Sequence, residues 1–252
     1  MNWHIWILIV IFVITSIVGV VTGSNSLITV PVMFQFGIME KTAVATNMFA
    51  LTLMSAGGSI PFLRQRLIKK EKLLPLLILT LIGSAIGAGI AIIISAGALK
   101  LVVAVSVAIG AILLLILPER QKLEETDPIP ARKKIYGFLL SFLLAIYGGV
   151  FSGGYVTVLT IVLVKLLGLS YREAVGNTKV INFFSSGIAA TLFAYFGLID
   201  YSLGIALGLA TFVGGIIGGH YATKMSEKFL RAVFTFTTVL LAAKSLFDLF
   251  NN

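Results

Sequence analysis

Cysteine is absent from the 252 residues, and His4 and His220 are the only histidines. The first absence removes disulfides, thiolate metal sites and cysteine nucleophiles together. The second leaves too little for a histidine-built metal site, so neither a metal nor a cofactor is expected. Charge is scarce as well: Asp, Glu, Lys and Arg make up 12% of the chain, against roughly a quarter in a soluble domain. A surface so poor in charge cannot stay dissolved in water, and lipid must be the solvent for most of it. No Asp or Glu sits in the middle of an apolar run, which argues against an acidic cation path or a carboxylate proton relay.

What is present is apolar: 58% of the residues are hydrophobic and 25 are glycine, the residue that lets membrane helices approach closely. The formal net charge of +9 is not a nucleic-acid footprint, because the basic residues sit in short loops between apolar runs, where they act as topology signals. The apolar runs cover roughly 5–36, 42–63, 73–95, 99–118, 135–168, 173–197, 202–223 and 229–250. Most have the ~20 residues that span the hydrocarbon core. The first is expected to belong to the folded protein rather than to a cleaved signal, having no basic stretch before it. The first and fifth are too long for one straight span, and both are interrupted. Gly19, Gly23, Ser24, Asn25 and Pro31 break the first; Gly148, Gly149, Ser152, Gly153 and Gly154 break the fifth.

The charged stretch Pro118 to Lys134 is a loop in water by composition. It divides the chain into a first membrane repeat (1–118), a cytoplasmic linker (119–134) and a second membrane repeat (135–252). The halves match each other. At an offset of 131, Gly37 falls on Gly168, Ala43-Val44 on Ala174-Val175, and Gly83 and Gly87 on Gly214 and Gly218; with slippage, Gly19 and Gly23 meet Gly149 and Gly153. Lys and Arg cluster in loops 64–72, 119–134 and 223–231. All three are cytoplasmic only if each long broken segment enters and returns. The expectation is therefore an all-α, multi-pass integral protein of the cell membrane. It has two inverted-topology repeats, a broken, re-entrant first helix in each, and both termini outside.

A helix broken inside a bilayer persists only where it is buried in protein or lines a polar cavity, and its half-helix N-termini suit an anion. Gly23, Ser24 and Asn25 in the first break and Ser152, Gly153 and Gly154 in the second are therefore candidate binding residues, with close helix packing as the alternative role. After each break comes a related motif, Thr46-Asn47 following Ala43-Val44-Ala45, and Asn177-Thr178-Lys179 following Ala174-Val175-Gly176. These amides and hydroxyls can donate to an anion, or else cap and join helices. Lys179 lies inside an apolar helix, where an ionisable group points to function; its alternative is snorkelling to the interface. Its counterpart in the first half is Met48. His220 reads as a packed or interfacial histidine. Glu40 and Glu173 read as first-turn acids, and Lys244 with Asp248 as a helical pair.

The Gly-rich broken first helix running into a proline, then AVATN, with GVFSGG and AVGNT in the second copy, resembles the TauE/SafE family of sulfite exporters and sulfonate-uptake permeases. The resemblance covers essentially the whole chain and implies transport of small sulfur-containing anions such as sulfite, sulfonates or sulfoacetate. TGSNS in the first break and NTK in the second depart from the usual pattern. A passive anion channel stays open as a reading. An intramembrane protease using Ser152 and His220 is the remote one, since the serine lacks a glycine two positions before it and a duplicated architecture gives no reason for one catalytic half. The partners expected are a small anion and the bilayer, with no nucleic acid; self-association into a homo-oligomer is left open.

Overall fold

In the computed structural model, residues 3–23, 25–68, 70–116 and 129–222 are described. Ser24, most of the linker, loop 223–231 and the run 229–250 with Lys244 and Asp248 lie outside them. The described residues form helices without a strand: α1 (Trp3–Thr22), α2 (Ser26–Gln35), α3 (Glu40–Arg64), α4 (Lys70–Ile93), α5 (Ala96–Ile116), α6 (Ala131–Val150), α7 (Tyr155–Leu167), α8 (Tyr171–Tyr195) and α9 (Tyr201–Tyr221). Both long apolar runs are indeed two helices, α1 and α2 in the first and α6 and α7 in the fifth. One boundary needs correction. Residues 131–134, expected in the aqueous linker, form the first turn of α6 behind an N-cap at Pro130. Ala, Arg and Lys are good helix formers, so the basic residues extend the helix rather than ending it.

Helices α3, α4, α6 and α9 are each long and apolar enough to cross a bilayer. Exposed apolar residues stand four apart on five helices: Trp6, Val10 and Ile14 on α1; Leu74, Ile78, Ile82, Ile86 and Ile90 on α4; Leu101, Val105 and Ile109 on α5; Ile135, Leu139 and Leu143 on α6; Ile205, Leu209 and Val213 on α9. A spacing of four gives one continuous stripe along a helix, and stripes of this length suit hydrocarbon rather than water. Helix α8 is 25 residues long, like α3, but is too polar to be counted with the four. It packs instead against α3 at the centre of the molecule.

The sequence offset recurs in the turns. Gly37 after α2 and Gly168 after α7 both take positive φ, at 74° and 66°, and so do Arg66 after α3 and Gly197 after α8, at 56° and 66°. Each turn closes with a backbone bond from the next residue back to a carbonyl within the helix, five positions back for Ile38 N–H to Met33 O and six for Leu169 N–H to Leu163 O, both 3.1 Å.

The fourth element of each half packs on the other half. Helix α4 lies along α6 and α8, and α9 lies along α1 and α3. Glycines make both crossings backbone to backbone. A Cβ on Gly87 would run into the Ile146 carbonyl, and one on Gly218 into the Ile17 carbonyl.

Helix ends follow the sequence signals. Ser170 and Glu173 form a reciprocal capping box at the start of α8, with Ser170 N–H donating to Glu173 Oε2 at 3.0 Å. Asp200 accepts from Leu203 N–H at the start of α9, and Lys41 donates to Ile92 O at the end of α4. Ser170→Ala is expected to lower stability by about 1 kcal/mol, read as a lower melting midpoint in detergent. An unchanged midpoint would mean that the box contributes nothing.

Candidate functional site

The two breaks lie against each other. A Cβ placed on Gly23, whose φ is +78°, would sit 2.8 Å from the backbone nitrogen of Thr157 in the first turn of α7. Thr157 Oγ1 donates to the Thr22 carbonyl, the last of α1, at 2.6 Å. From the other side, a Cβ on Gly153 would lie 2.7 Å from a Leu27 methyl on α2. The C-terminal end of α1 therefore faces the N-terminal end of α7, so opposite partial charges of two helix dipoles meet. Freed backbone groups find partners: Gly23 N–H bonds to Gly19 O at 2.8 Å, and Tyr147 Oη donates to Gly153 O at 2.5 Å. Such bonds let a broken helix persist away from water.

Each break is tied by side chains to a central helix. In the first half, Asn47 on α3 donates through Nδ2 to Ser26 Oγ at 2.9 Å and accepts from Thr29 Oγ1 at 2.7 Å. In the second, Ser152 Oγ donates to Asn182 Oδ1 on α8 at 3.4 Å, and Asn182 Nδ2 donates to Ser55 Oγ on α3 at 2.7 Å. Ser185, on the next turn of α8, shares a hydrogen bond of 2.7 Å with Ser84 on α4.

Lys179 lies eight residues past Tyr171, the start of α8, a depth of about 12 Å at 1.5 Å per residue. It is 3% exposed, so it does not snorkel. Its Nζ donates to Gly19 O in the last turn of α1, at 3.4 Å, and among the described residues it pairs with no carboxylate. An ammonium has three donors, and this long bond engages one. Asn25 flanks the same glycine, for a Cβ on Gly19 would stand 2.9 Å from Asn25 Cβ.

The remaining candidates are distributed differently. Thr46 faces away from the breaks and accepts from Asp200 N–H at 3.1 Å. Asn177 and Thr178 are buried but bond to carbonyls of their own helix, Glu173 at 2.7 Å and Val175 at 2.9 Å. Gly154, φ +79°, supplies the turn before α7. His220 lies exposed in the last turn of α9 against Tyr221, beside a cleft that Arg64 and Gln65 also line. Ser152 Oγ bonds to Asn182, and among the described residues no histidine is bonded to it. Asn182, Ser55, Thr157 and Thr29 were not among the sequence candidates. One signal could have found Asn182: it follows Lys179 at three positions, on the same face of α8.

The family model described as "Sulfite exporter TauE/SafE" matches residues 7–245. Among curated proteins, the chain is 24% identical over 235 residues to a "Probable membrane transporter protein ORF9" of a Sinorhizobium species, covering 93% of this chain and 89% of that one. It is 25% identical over 240 residues to a "Probable membrane transporter protein" of Haemophilus influenzae, covering 93% and 91%. It is 22% identical over 250 residues to the "Probable membrane transporter protein YfcA" of Escherichia coli, covering 96% and 89%. No solved structure gives a significant match.

Proposed function

The chain belongs to the TauE/SafE family of sulfite exporters, and from that premise we propose that it carries small sulfur-containing anions, such as sulfite, sulfonates or sulfoacetate, across the cell membrane. The relatives are named as probable membrane transporters, which fits a transporter rather than an enzyme. The observation that carries the site is Lys179: an ammonium buried where two broken helices meet, with a neutral carbonyl as its hydrogen-bond acceptor. Such a group attracts an anion and repels a cation. Around it Gly23, Asn25, Asn47, Ser152, Gly153 and Gly154 provide backbone and amide or hydroxyl groups.

The two halves, 1–118 and 135–252, act in this reading as inverted repeats with re-entrant first segments, so that loops 64–72, 119–134 and 223–231 face the cytoplasm and the termini face outward. Supporting it are the basic loops and the reciprocal packing of α4 and α9. A single cysteine tests the orientation, since the parent has none. Ala98→Cys, exposed after α5 begins, should react with an impermeant maleimide added outside intact cells. Arg132→Cys, exposed at the start of α6, should react only after lysis. The reverse pattern overturns the inverted arrangement.

Reconstitution into liposomes tests the function. Saturable flux of sulfite, thiosulfate or a short sulfonate, above that of protein-free vesicles, is the expected result. Flux of none, with or without a pH gradient, rejects the proposal.

A further inference from the structure

Asn25 stands at the N-cap of α2 and does not cap it. Its backbone is in the helical region (φ −49°, ψ −47°) and its side chain makes no bond to the helix, whereas a capping asparagine usually takes extended backbone and accepts from the second or third N–H. The side chain is 3% exposed. Its Nδ2 donates to the Met54 sulfur at 3.3 Å. A thioether can only accept, so turning the amide over would set two acceptors against each other. The orientation is therefore fixed by chemistry, and Oδ1 is left buried without a hydrogen-bond partner. Gly19 borders both groups: a Cβ on it would stand 2.9 Å from Asn25 Cβ, and its carbonyl accepts from the Lys179 ammonium.

A site with a cationic donor and a neutral, unpartnered acceptor on one residue's two flanks asks for a ligand with complementary ends. We propose that Asn25 makes the site selective for anions that carry a neutral hydrogen-bond donor, such as a hydroxyl, over anions whose polar atoms are all acceptors. The inference rests on the transport reading above and narrows its substrate class. An anion of acceptors alone leaves Oδ1 unpaired in a dry site and places oxygen against oxygen. An O–H fills that need, while an ammonium on the ligand would be set against Lys179. Sites built around a substrate hydroxyl discriminate strongly against the analogue that lacks it.

The test uses the full chain in liposomes and two monoanionic sulfonates of nearly equal size, 2-hydroxyethanesulfonate and 1-propanesulfonate. The parent should favour the hydroxylated one by at least about tenfold in flux at low concentration. Asn25→Leu, of similar volume, should bring the two within about twofold. Equal handling by the parent, as when a water molecule satisfies Oδ1, overturns the inference without need of any variant. So does a preference that survives in Asn25→Leu. Flux of neither sulfonate with sulfite still carried also overturns it and leaves the transport reading standing. Flux of no sulfur anion overturns both.

Discussion

Gly87→Val is expected to leave almost no folded protein, while Gly89→Val, two residues along the same helix, behaves as the parent. A Cβ at Gly87 would run into the Ile146 carbonyl and sit 2.9 Å from Val150 N, whereas at Gly89 it would meet nothing within 4 Å. The obstacles at Gly87 are backbone atoms of α6, which cannot swing aside as a side chain would. Overpacking a core costs roughly 1–3 kcal/mol when side chains can adjust. Here a whole helix must move, against a total stability of about 5–15 kcal/mol. Gly149, across the crossing, is locked against the Ser84 backbone in the same way. The yield of monodisperse protein by size exclusion in detergent measures the effect. If Gly87→Val elutes like the parent, α4 and α6 do not touch as described.

Lys179→Met should reduce anion flux by at least about a hundredfold while the protein still folds. An anion leaving water needs compensation of several kcal/mol, and roughly 2.7 kcal/mol already corresponds to that factor. Methionine keeps the length of the stem, which lies 3.8 Å from where a Cβ on Gly58 would be, so packing is largely retained. Lys179→Arg should weaken flux less, since the charge stays but its planar fork fills a different volume. Parent-like flux from Lys179→Met, with a lowered melting midpoint, would leave Lys179 as a cationic cap on α1 and nothing more.

The breaks were readable because a helix cannot tolerate Gly, Ser and Asn in a cluster without a cause, and two clusters stood in matching places. The depth of Lys179 was readable from its apolar neighbours Val180 and Ile181. Thr46 misled because a hydroxyl next to Asn47 looks like one motif, yet on a helix adjacent residues point about 100° apart. Thus Asn47 meets the first break and Thr46 meets α9. Ser55 and Thr157 were silent for a related reason. Each is a small polar residue without a motif around it that names its partner, and that partner depends on which helix packs opposite. The pairing of α4 with α6 and of α9 with α1 was equally hidden, because a glycine face states that something comes close but not what.

That exchange constrains how the chain can be built in the cell. When the ribosome has delivered α1 to α5, Gly83 and Gly87 have no partner, because Phe142, Ala145 and Ile146 of α6 are not yet made. Helix α1 likewise waits for Gly214 and Gly218. The first half cannot finish folding while it is being inserted. Its helices must rest in lipid, or in the care of the insertion machinery, until α9 arrives. Assembly is therefore a late, whole-chain event. The two halves made as separate polypeptides would be unstable alone and would recover each other's structure only when synthesised together.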